Sequence, residues 1–143
     1  MAVVVTRFVR SDWSTSAEFT AVASVAGTLL ERLNIAEIQA ALASAHAPRA
    51  PSSRVQAAFL HVAEELGFRN EAAGLFAEYQ SRLRPDYFLP VGTTGVLLEV
   101  ERGKTITNNM DMLDFWKCHL CAHANYLFLL VPQLLRHGDI GFT

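Results

Sequence analysis

The stretch PDYFLPVGTTGVLLEVERGKT, Pro85 to Thr105, decides how the rest of the chain is read. Two apolar-rich runs, Asp86–Pro90 and Val96–Glu101, flank Gly92-Thr93-Thr94-Gly95, and glycine at both ends of so short a break predicts a hairpin. Side chains alternate along a strand, so Val96, Leu98 and Val100 share one face while Leu97, Glu99 and Glu101 share the other. Two carboxylates then lie about 6–7 Å apart on one face. Asp86 on the preceding run adds a third acid nearby. Carboxylates gathered on a sheet surface are the donors a hard cation such as magnesium uses, together with water.

Downstream, Asn108–Ala124 reads as a helix with Asn108 or Asn109 as its cap and Asp111 in its first turn. Tyr126–Val131 is a continuous apolar run closed by Pro132, the pattern of a buried central strand. Upstream, Thr15-x-x-Glu18 predicts the start of a helix over Ala17–Leu33, and Asn34-x-x-Glu37 the start of a second, Ile35 to about His46. The proline-bearing segment Ala47–Ser53 reads as a linker. Ser52 or Ser53 would cap a third helix, Arg54–Leu66, stopped at Gly67. Asn70–Leu83 mixes helix and strand signals, and a strand is expected around residues 75–80.

The order strand, hairpin, acidic strand, helix, strand, with Pro85-Asp86 opening it and Glu99-Val100-Glu101 following after twelve intervening residues, resembles the PD-(D/E)XK nuclease-like superfamily. The resemblance covers about a third of the chain. It implies an α/β fold, a restriction endonuclease-like central mixed sheet flanked by helices. Residues 53–143 would form that core and residues 1–52 an N-terminal, mainly helical extension within one compact domain. The family pattern is acid-x-Lys on the second strand. Here Glu101 stands in the lysine's place, a Glu-x-Glu variant that some type II restriction enzymes of the superfamily share.

The function so implied is Mg²⁺- or Mn²⁺-dependent hydrolysis of DNA phosphodiesters. Asp86 and Glu99 would hold the metal, and Glu101 would be a further ligand or the general base. Lys117 on the helix, or Lys104 in the turn after Glu101, would supply the missing ammonium, and Lys117 is the better placed. Arg102 is a candidate phosphate clamp. Glu64 or Glu65, on the helix that also carries Gln56, is a candidate fourth ligand, since superfamily members often bring an acid from the first core helix. The partner would be DNA and the working unit a homodimer, to which the apolar N-terminal helices would suit an interface.

Other features press against this reading or leave alternatives open. Lys and Arg number 12 against 14 acids, net charge −2, without a basic arm, so the electrostatic grip on nucleic acid is modest. With the lysine of the pattern missing, the alternative is a catalytically inactive nuclease-fold module serving nucleic-acid binding or protein assembly. Glu99 and Glu101 could instead line the solvated face of an edge strand. Leu113, Trp116, Leu120 and Ala124 fall on one helix face, read as the packed one, with Lys117 at its border. Cys118 and Cys121 invite a zinc or redox reading, but no second ligand pair stands at a familiar spacing and the pair lies late in its helix. Two cysteines, no long apolar run and no leader-like N-terminus lead to the expectation of a cytoplasmic protein.

Overall fold

The computed structural model describes residues 2–46, 51–70, 84–101, 110–132, 136–137 and 140–141. Helix α1 spans Ala17–Leu33, and its cap is Ser16, whose Oγ accepts a hydrogen bond from the Phe19 N–H at 3.0 Å. The cap thus falls one residue after the Thr15 expected from sequence. Asn34 does not cap the next helix. Its amide is turned onto the N-terminal arm, accepting from the Val3 N–H (2.8 Å) and donating to the Val3 carbonyl (3.1 Å), as a neighbouring strand would. Helix α2, Ala36–Ala45, therefore starts at Ile35 without a side-chain cap.

Helix α3 covers Ser52–Glu65, preceded by Pro51, whose fixed φ suits a helix start. It ends at Leu66, and Gly67, at φ 85°, takes the left-handed conformation that lets the chain turn back. Strand β1, Arg69–Asn70, follows at once and pairs antiparallel with β2, Tyr87–Val91. The strand expected around residues 75–80 lies outside the described residues. Strand β3, Thr94–Val100, pairs antiparallel with β2 from Tyr87↔Leu98 to Val91↔Thr94, leaving a two-residue turn in which Gly92 has φ 58°. Helix α4, Met110–Leu120, crosses over, and β4, Tyr126–Leu130, returns parallel to β3. Two short strands, β5 (Arg136–His137) and β6 (Ile140–Gly141), pair with each other.

The chain is thus α/β, with a small mixed sheet in the order β1-β2-β3-β4. This order reverses one expectation. The continuous apolar run, β4, is only half-buried, because it is the last strand of the described sheet. The strand bearing the carboxylates, β3, sits between β2 and β4 and is buried at every position.

The alternation along β3 separates two interiors. Val96, Leu98 and Val100 face α1 and α3, where they join Val22, Leu29, Leu33, Phe59 and Val62 in the main core. Phe59 is fully buried with its ring 5.6 Å from that of Tyr87, and such burial contributes about 2–3 kcal/mol. The apolar stripe of α1 is used in this core, so α1 shares one hydrophobic interior with α3 and the sheet. On the other face Leu97 meets Phe88, Cys121 and Ala124, a much smaller cluster beneath α4.

Helix α4 packs the opposite way from its expected orientation. Leu113, Trp116 and Leu120 are exposed, as are Met112 and Phe115, while Asp114 and Cys121 are buried and Lys117 and Cys118 partly so. The reason is visible on β3: the position facing α4 near its end is Glu99, and a buried carboxylate demands a cation rather than leucine or tryptophan. Among the described residues no helix is long and apolar enough to cross a membrane.

Candidate metal centre

Asp86 precedes β2 directly, and the β2–β3 register carries it alongside the end of β3. Its carboxylate is fastened from two sides: Oδ2 accepts from the Val100 N–H at 2.9 Å, and Oδ1 from Gln56 Nε2 at 3.2 Å. The backbone N–H of Asp86 in turn donates to Glu99 Oε2 at 3.3 Å. Two of the three acids the sequence singled out are therefore tied to each other and to the sheet. From α3 it is Gln56 that donates to Asp86, while Glu64 is exposed. Glu65 points elsewhere, paired with Arg32 of α1 and with His61 one turn back.

Glu99 is 1% exposed, so the solvated edge-strand reading fails. Its other oxygen, Oε1, lies 3.1 Å from Lys117 Nζ. Burial pushes the Glu99 carboxyl up to about 7, against the pull of the Lys117 ammonium. For Lys117 burial pulls downward, but Glu99 and then Asp114 outweigh it and the ammonium is held above its ordinary value. Glu101 follows β3, its N–H donating to the Leu130 carbonyl at 2.9 Å, and it is half-buried. Burial, and after it the negative charge of Asp114, raises its carboxyl as well.

Asp114 was not foreseen. It is fully buried, and Lys117 Nζ stands 2.9 Å from its Oδ1 as an ion pair one helical turn away. The Glu101 carboxyl is its other polar neighbour among the described residues. A signal existed in the spacing: Asp114 and Lys117 are three residues apart, hence on one face, and Cys118 and Cys121 continue that face. The more apolar Leu113, Trp116 and Leu120 drew the reading to the wrong side.

Of the expected residues, then, Asp86, Glu99 and Lys117 are brought together, with Glu101 beside them. Lys104 and Arg102 lie outside the described residues. As the side chains stand, no three His, Cys, Asp or Glu among the described residues are placed to hold one metal ion, since the Lys117 ammonium lies between the carboxylates of Glu99 and Asp114. Cys118 and Cys121 are free thiols packed beneath α4, and burial pushes the Cys118 thiol up to about 11, which is the behaviour of packing residues. His119 and His123 are exposed.

Compared with protein-family models, with curated proteins and with solved structures, the chain matches none.

Proposed function

We propose that the chain is a metal-dependent nuclease-like domain that hydrolyses DNA phosphodiesters, with a restriction endonuclease-like core. The observation that carries the reading is the mutual fastening of Asp86 and Glu99 at one end of the hairpin, with a helix-borne ammonium 3.1 Å from the second acid. The order of helix, antiparallel strands, crossover helix and parallel strand agrees with the family the sequence resembles. The donor set also fits magnesium or manganese, because it consists of carboxylate oxygens only.

Asp86 and Glu99 would hold the ion, with Glu101 the third candidate. When bound, the ion would polarise a scissile phosphate and acidify a water. Asp86 is kept in one orientation by the Val100 N–H and Gln56, so it meets its ligand preorganised. Glu101, with its raised carboxyl, is suited to take the proton of the attacking water. Lys117, on its flexible four-carbon stem, would neutralise charge developing on the phosphate. It takes the role of the lysine that Glu101 displaces from the strand. DNA is the partner in this reading, and two copies acting together address its two strands.

The test is nicking of supercoiled plasmid in Mg²⁺ or Mn²⁺ by the parent, Asp86→Asn and Glu99→Gln. The parent should convert plasmid to open circle, and each variant should be slower by roughly a hundredfold or more. A parent that binds DNA but never cuts it points to the inactive module instead. Cleavage undiminished in Glu99→Gln would remove the site.

A further inference from the structure

Among the described residues of this region, Asp114 is an acid that neither the strand pattern nor the proposed reaction uses. A fully buried carboxylate is costly even when a cation stands beside it. A residue serving only to pack α4 on the sheet would do so better if apolar. Its compensating contacts among the described residues are the Glu101 carboxyl and the Lys117 ammonium, and that ammonium is shared: it lies 2.9 Å from Asp114 Oδ1 and 3.1 Å from Glu99 Oε1. Two carboxylates from different elements, β3 and α4, are thus aimed at one point of positive charge.

We propose that Asp114 is a ligand of the same cation site, opposite Glu99, and that the Lys117 ammonium and a divalent cation are alternative occupants of the space between them. This rests on the metal-site reading above and adds to it a ligand and an exchange. Magnesium and manganese need only one or two protein carboxylates, the remaining positions going to water and substrate phosphate. The Glu99–Asp114 pair meets that need once the ammonium leaves. Lys117, although held by both acids, keeps 17% of its side chain exposed, so its stem has a route along which to carry the charge outward. Displaced in this way, the ammonium arrives on the side from which a phosphate approaches. One residue then guards the empty site and serves the filled one.

The experiment is calorimetric titration of Mn²⁺ alone, with thermal unfolding in its presence and absence, on the parent, Lys117→Met, Asp114→Asn and Glu99→Gln. Without metal, Lys117→Met should unfold at a lower temperature than the parent. It should bind Mn²⁺ at least about tenfold more tightly, and its unfolding temperature should rise with metal more than the parent's does. Asp114→Asn should bind at least about tenfold more weakly than the parent. A Lys117→Met protein that binds no more tightly than the parent, and whose stability metal does not restore, overturns the exchange. If Glu99→Gln loses binding while Asp114→Asn keeps it, the metal site stands and Asp114 is not part of it. Failure of both the parent and Lys117→Met to bind at millimolar Mn²⁺ removes the metal-site reading and this proposal together. Should Asp114→Asn not fold, the Lys117→Met comparison alone decides.

Discussion

The two faces of β3 are buried equally and built from opposite materials. Toward α1 and α3 it presents Val96, Leu98 and Val100 to a continuous apolar core. Toward α4 it presents Leu97 to a small cluster and then Glu99 to a lysine and a second acid. The first face needs only shape and gains from removal of water. The second is held by ion pairs whose attraction is offset by the cost of stripping water from each charge, so it contributes little net stability and much specificity of arrangement. One face carries the fold and the other holds the charged groups.

That contrast is open to direct attack. The largest effect should come from the apolar face: Phe59→Ala removes a fully buried ring and is expected to cost roughly 3–5 kcal/mol in urea unfolding. The loss should be the same at pH 5 and pH 8 and indifferent to added Mn²⁺; a loss that changed with either would mean that the two faces are coupled. Glu99 gives the next effect. Its folded value is raised from 4.5 to about 7, so protonation favours the folded state. The associated stability is fully present below pH 4.5 and is lost as pH rises to about 7, on the order of 3 kcal/mol at most. Relative to Glu99→Gln, the metal-free parent should therefore weaken across that window, and parallel pH profiles for the two would show that the carboxyl is not perturbed. Gly95→Ala should be the mildest, roughly 1–3 kcal/mol by the same unfolding assay. Its methyl carbon would come 2.3 Å from Phe88 Cε2 and 2.8 Å from the His123 carbonyl, and while the ring can shift, the backbone after α4 cannot without moving that helix. A neutral Gly95→Ala would mean that the α4 side is loosely seated.

How much of this was legible beforehand follows from what each signal encodes. Helix α1 was readable in its extent, with the cap one residue later than expected, because its periodic stripe is local. The hairpin was readable because glycine at Gly92 and the alternation after it are local too. Burial was not. β4, without a single charged residue, looks more central than β3, yet the sheet order places β3 inside. Which strand is covered depends on neighbours that lie far away in the chain. The site divided in the same way. Asp86 and Glu99 stood out through spacing along two adjacent strands, and the hairpin delivers them together. Asp114 comes from a helix whose apolar side chains, Leu113, Trp116 and Leu120, are the exposed ones, so periodicity pointed away from it. The reason is Glu99 itself, since a buried charge overrides the usual preference for apolar contact.

The orientation of α4 also turns its own Cys118, and Cys121 just past its end, toward the sheet on the face that carries Lys117 and Asp114. With its thiol held near 11, Cys118 is almost wholly protonated at neutral pH and slow toward electrophiles while the helix stays docked. Local detachment of α4 would return both thiols to water and to ordinary reactivity. The rate of labelling by a chromophoric disulfide thus times the opening of the helix over the acidic strand, in the untouched protein and without a nucleic acid or a metal to report on it.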